Sequence, residues 1–102
     1  MNEYNKIKSK YIEANIQEYR FKDALDVEKV LGYDFRTMRG FKELEEDKKQ
    51  LAEKLICSFI NGHGLETREG IRPTKISREP GKFKVTFKNN GFSYLYDNGT
   101  VG

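Results

Sequence analysis

The 102-residue chain has one cysteine, one histidine and no tryptophan. Each scarcity removes a class of chemistry. Cys57 alone cannot form an intramolecular disulfide or a cysteine metal cluster. His63 alone excludes the multi-histidine metal motifs. No segment approaches the roughly 18 apolar residues of a membrane span. The opening MNEYNKIKSK has no apolar run of signal-peptide length. We therefore expect no metal, no cofactor, no membrane association and a reducing, cytoplasmic setting. No repeat, low-complexity tract or linker divides the chain.

Charge of one sign is also in short supply. Nineteen Lys and Arg against sixteen Asp and Glu leave +3. That balance permits nucleic-acid binding but falls short of a dedicated binder's basic footprint. It argues against a DNA mimic, which needs a strongly negative surface. The length fits one domain, 1–102. A domain this small buries only about two-thirds of the surface its unfolded chain exposes. Seven Phe and six Tyr are what the core has to work with, at roughly 150–250 Å² each.

A helical half, about 3–61, comes first. Over 3–19, Tyr4, Ile7, Tyr11 and Ala14 follow one helical face, and Ile12, Ile16 and Tyr19 form a second stripe. A surface helix needs one apolar face. The second stripe is explained by a helix wedged within its own domain, or by a partner or second copy of the chain. A short helix follows, with Ala24, Val27, Val30 and Leu31 on its apolar side. Asp23 or Asp26 caps its start, and Gly32 ends it. The spacing of Phe41, Leu44, Leu51, Ala52, Leu55, Ile56, Phe59 and Ile60 predicts a long helix from Met38 or Phe41 to Ile60. The run ELEEDKKQ reads as its solvated face, with Glu45–Lys49 as an i,i+4 ion pair of favourable polarity.

A sheet half, about 71–101, closes the chain. Glu79-Pro80-Gly81-Lys82 reads as a tight turn. It places Arg78 opposite Phe83, Ser77 opposite Lys84, Ile76 opposite Val85 and Thr74 opposite Phe87. Asn90–Gly91 is a two-residue hairpin signal. It places Phe87 opposite Tyr94 and Val85 opposite Tyr96. The two registers put Ile76, Val85 and Tyr96 in one row and Thr74, Phe87 and Tyr94 in the next, all on one face. The expected fold is α+β: two or three N-terminal helices, then an antiparallel meander of three strands, about 72–78, 82–89 and 92–97, packed on the long helix. Asn98–Gly99 is placed to turn a short fourth strand. The rings of the last strand then point inward. Lys75, Lys82, Lys84 and Lys88 share the outer face with Ser77, Thr86, Ser93 and Leu95, which is ordinary for an open antiparallel sheet.

Catalytic patterns are poor. The loop NGHGLETREG (61–70) lacks the Gly-Lys-Ser/Thr ending of a phosphate loop. It reads as a helix-ending loop with a solvent-facing histidine. Cys57 lies near the apolar side of a helix, where burial raises a thiol's pKa. We therefore expect no enzyme and no catalytic residue. The reading that follows is a small non-enzymatic binding protein, a regulator or inhibitor of another protein. Its composition, rich in Lys, Asn and Ile, resembles that of small proteins from AT-rich bacteria, their phages and other mobile elements. Its expected surface is the aromatic and arginine-bearing connection at Tyr33, Phe35, Arg36 and Arg39, with Ile12, Ile16 and Tyr19. The alternative is a nucleic-acid module using Lys75, Lys82, Lys84 and Lys88 with Arg72 and Arg78. Inward-pointing rings weigh against the alternative, because single-strand binding needs exposed rings for stacking.

Overall fold

The computed structural model describes residues 3–89 and 91–102. The fold is α+β: among those residues three α-helices precede a three-stranded antiparallel sheet of order β1-β2-β3. The helices are α1 (Glu3–Glu13), α2 (Ala24–Leu31) and α3 (Glu46–Asn61). The strands are β1 (Pro73–Glu79), β2 (Lys82–Phe87) and β3 (Phe92–Tyr96). Three 3₁₀ turns, Gln17–Tyr19, Phe35–Thr37 and Arg68–Gly70, lie between helices and ahead of the sheet.

The first helix is shorter than its apolar spacing predicts. It stops at Glu13, and Asn15 turns into the left-handed region at φ 60°, a conformation Asn tolerates better than most residues. The Ile16 N–H reaches back to the Tyr11 carbonyl at 2.9 Å. The second stripe therefore never forms as a surface. Ile12 is 68% exposed, whereas Ile16 is buried and Tyr19 packs edge-on against Tyr11, ring centroids 5.5 Å apart. In α2 the Asp23 carboxylate accepts from the Asp26 N–H at 3.0 Å, and Gly32 ends the helix at φ 81°. Both ends match expectation.

The long helix begins at Glu46, not at Met38 or Phe41. Residues 38–45 instead cross the open edge of β1. The Arg39 N–H donates to Thr74, and the Ile76 N–H donates to Arg39, at 3.1 and 2.9 Å. Gly40 follows at φ 93°, where a Cβ would run into the Ile76 carbonyl. Only glycine lets the chain pass so close. Met38 and Phe41 are buried all the same. The Glu45–Lys49 ion pair gives way to Glu46–Lys49 at 3.7 Å. Glu53, expected on the solvated face, is half-buried, and its carboxylate accepts from the Ala24 N–H at 2.8 Å. It satisfies a backbone donor at the start of α2 and pins α2 to α3.

Arg68 is the buried polar centre. Nη1 donates to the Tyr19 carbonyl (2.6 Å) and the Tyr11 hydroxyl (3.3 Å), Nη2 to the Asn61 carbonyl (2.9 Å) and Nε to the His63 carbonyl (2.9 Å). Its guanidinium also lies over the Phe21 ring at 5.4 Å. A buried charge is costly unless its donors are met; here carbonyl dipoles and a phenol meet them. The contact to Tyr19 also holds a strained pair, Glu18 and Tyr19, both at φ 56°. His63 is half-buried rather than solvent-facing. Its Nδ1 donates to the Phe59 carbonyl at 2.9 Å.

The sheet keeps half of the expected register. Arg78–Phe83, Ser77–Lys84 and Ile76–Val85 pair as the Pro80–Gly81 turn implies. Thr74 is an extra residue, so Pro73 rather than Thr74 stands opposite Phe87. The second hairpin differs by three residues. Phe83 faces Leu95, Lys84 faces Tyr94, Val85 faces Ser93 and Thr86 faces Phe92. The chain reverses between Thr86 and Phe92, with the Phe87 N–H donating to Gly91 at 2.8 Å. Asn90, half of the expected turn, lies outside the described residues. An odd shift exchanges the two faces of a strand. Leu95 and Ser93 therefore turn inward, and Tyr94 and Tyr96 turn outward. The inner face, Ile76, Phe83, Val85, Phe87 and Leu95, joins Leu55, Ile56 and Ile60 of α3 in one core. Phe59 stacks on Phe87 at 5.3 Å. After Asn98–Gly99 the chain returns beside β3 as an isolated bridge, Leu95 to Val101.

Two substitutions separate the registers. Leu95→Ala should cost about 2–5 kcal/mol, the range for truncating a buried leucine. Tyr94→Ala should cost about 1 kcal/mol or less, as a surface change. Urea midpoints of both variants check this; the reverse order would return Tyr94 to the core.

Candidate nucleic-acid interface

The solvent face of the sheet is built in three cross-strand rows: Lys75–Thr86–Phe92, Ser77–Lys84–Tyr94 and Glu79–Lys82–Tyr96. Alternation along each strand puts every one of these side chains on the same face. Phe92 is 54% exposed, and Tyr94 and Tyr96 are half-exposed. Phe92 and Tyr94 meet edge to face, centroids 5.6 Å apart at 80°. Gly102 rests against the Tyr96 ring, so the open part of the aromatic row is Phe92 and Tyr94.

The lysines of β2 lean diagonally over the rings of β3. Lys84 Nζ lies 4.5 Å from the Phe92 centroid. Lys82 Nζ lies 4.8 Å from Tyr94 and 5.7 Å from Tyr96. Such contacts contribute roughly 0.5–1 kcal/mol when exposed. Neither lysine has an ion pair among the described residues.

The residues named for nucleic-acid contact divide into three groups. Lys75, Lys82 and Lys84 share the aromatic face. Lys88 and Arg72 stand at its rim, where the Lys88 N–H donates to the Arg72 carbonyl at 2.9 Å and the Arg72 guanidinium lies over Tyr33 at 5.1 Å. Arg78 leaves the set. It occupies an inner-face position, stacked 4.6 Å over Phe83, and grips Asp97 bidentately at 2.6 and 2.8 Å. That grip lowers the Asp97 carboxyl below the usual carboxylate range.

The surface expected for a protein partner is not assembled. Tyr33, Phe35 and Ile16 are core residues. Burial pushes the Tyr33 hydroxyl up to about 12. Arg36 is tied to Asp34 by two hydrogen bonds, Nε at 2.9 Å and Nη2 at 2.8 Å, which hold that carboxyl down. Arg39 is exposed, but Ile12 lies apart on α1 and Tyr19 packs on Tyr11.

Two features escaped sequence reasoning. Arg68 looked like one more loop charge; nothing local marks it as buried. The outward rings had a signal: Leu95 is the only aliphatic residue of β3, and leucine is fully buried more often than tyrosine. That preference opposed the hairpin signal. Among the described residues, no group of three or more His, Cys, Asp or Glu is placed to hold a metal, and no helix is long and apolar enough to cross a membrane. The chain matches no protein-family model, no curated protein and no solved structure.

Cys57 is buried in α3, and burial raises its thiol to about 12. The thiolate is the reactive form, so the native thiol should resist a disulfide reagent at pH 8 and react fully in guanidinium. Prompt native reaction at that pH would place Cys57 at the surface.

Proposed function

We propose that this chain is a small non-enzymatic module that binds single-stranded nucleic acid on the solvent face of its sheet. One observation carries the reading: Phe92 and Tyr94 stand outward beside Lys82 and Lys84 on the antiparallel sheet. Bases of an unpaired strand stack on exposed rings regardless of identity, at roughly 1–3 kcal/mol per base. Phosphates meet lysines, which fix position without reading sequence. The lysines now lying over the rings supply both needs. A base arriving at the ring displaces the ammonium, and the released Lys82 or Lys84 swings to the neighbouring phosphate on its flexible stem. A duplex keeps its bases stacked on one another and offers this face only phosphates.

The modest net charge of +3 sets the scale. With Lys75, Lys82 and Lys84 as the phosphate contacts, the slope of log K against log salt for a single strand should be roughly −2, from about −0.7 per phosphate. The expected preference is for single strands over duplex, with little discrimination between sequences.

Fluorescence anisotropy with labelled oligo-dT, oligo-rU and a matched duplex tests this. Phe92→Ala and Tyr94→Ala should each weaken single-strand binding by roughly tenfold, within the range of one lost stack. Lys82→Gln with Lys84→Gln should flatten the salt slope. No binding at low salt, or binding indifferent to the two rings, would overturn the proposal. A protein partner captured through this face would then be the reading to pursue.

A further inference from the structure

At the end of the sheet where β1 begins lies a cleft of about 310 Å³ between the Phe35–Thr37 turn and Pro73–Thr74. Three cations line it: Arg39, Arg72 and Lys88. All three are exposed, and none has an ion pair among the described residues. The one carboxylate in the lining, Asp34, is already held by Arg36 through a bidentate pair, so it offers the cleft little opposing charge. The groups come from three separate places. Arg39 sits in the segment bridged to β1, Arg72 precedes β1, and Lys88 follows β2. Backbone hydrogen bonds hold those places together: Arg39 N–H to Thr74, and Lys88 N–H to Arg72. The Tyr33 ring beneath the Arg72 guanidinium further limits where that side chain points.

The cleft is also well placed. Phe92, the most exposed ring, occupies the row Lys75–Thr86–Phe92 at this same end of the sheet. The opposite end carries Glu79. From β3 to β1 is two strand spacings, roughly 10 Å, and the Arg39 segment lies one place beyond. A strand stacked on Phe92 and running across the sheet towards β1 reaches the cleft within its own length.

Resting on the single-strand reading above, we infer that this cleft is a subsite for the terminal phosphate of a bound single strand. An internal phosphodiester carries one negative charge. A terminal monoester carries about −1.5 to −2 and three strong acceptor oxygens. That is the better match for three unpaired cations around one concavity, two of them guanidinium groups, whose planar fork suits phosphate oxygens.

The test compares one short oligonucleotide in three forms: 5′-phosphate, 3′-phosphate and hydroxyl at both ends. Each is titrated against wild type and against Arg39→Gln/Arg72→Gln/Lys88→Gln, with thermal midpoints to verify that the variant is folded. Phosphate at one end should tighten binding roughly tenfold, the scale of one charge-assisted hydrogen bond. The variant should lose that increment yet still bind the hydroxyl form with its dependence on Phe92 intact. Equal affinity for all three forms would overturn the terminal-phosphate subsite and leave the stacking reading standing. A tenfold preference that survives in the triple variant would move the subsite elsewhere. Failure of every form to bind would remove the stacking reading and this inference with it.

Discussion

Phe83 stands opposite Leu95, and most of what distinguishes this molecule follows from that pairing. A strand has two faces and no intermediate setting. Once Leu95 turns into the core, Tyr94 and Tyr96 must turn out, and Phe92 with them. Leu95 is 2% exposed and Phe83 is fully buried. A one-residue slip would exchange Leu95 for a tyrosine hydroxyl that needs a hydrogen-bond partner in an apolar interior. The hydrophobic gain of one small side chain thus decides which way three large rings face.

The helical half serves that sheet. α3 covers its inner face through Leu55, Ile56 and Ile60, with Phe59 stacked on Phe87. α2 is fastened to α3 by the Glu53 carboxylate, and Arg68 ties the α3–β1 connection to the chain around Tyr11 and Tyr19. The segment around Arg39 closes part of the β1 edge, and the C-terminal bridge at Val101 closes part of the β3 edge. Covered edges leave the solvent face as the sheet's open surface. The same segment that protects β1 also delivers Arg39 to the cleft beside Phe92. Fold protection and the proposed phosphate contacts therefore share one piece of backbone.

Much of this was legible in the residues. Asp23 and Gly32 bound α2 as their chemistry requires, because a cap depends on neighbours within a few residues. Pro80–Gly81 set the first hairpin for the same reason. What was not legible depended on distant partners. α3 begins at Glu46 because Gly40 crosses β1, thirty-odd positions along the chain. Ile16 is buried because the helix breaks at Asn15, where the Ile16 N–H turns back to the Tyr11 carbonyl, and the chain just beyond, at Tyr19, is held by Arg68. The facing of the β3 rings was misread on parity alone. Asn90–Gly91 favours a two-residue turn, the longer reversal from Thr86 to Phe92 differs by an odd number, and an odd number inverts the face. Lys75, Lys82 and Lys84 were placed correctly, since β1 and β2 pair as the Pro80–Gly81 turn implies; their aromatic neighbours on β3 were not.

The direct measurement is a nuclear Overhauser spectrum of the free protein, resolving the ring protons of Phe92 and Tyr94. The outward setting of the two rings requires cross-peaks from the Phe92 ring to the Lys84 side-chain methylenes and from the Tyr94 ring to those of Lys82. It allows none from either ring to the methyl groups of Leu55, Ile56 or Ile60. Cross-peaks from the Tyr94 ring to those α3 methyls, with Leu95 methyls free of them, would contradict it.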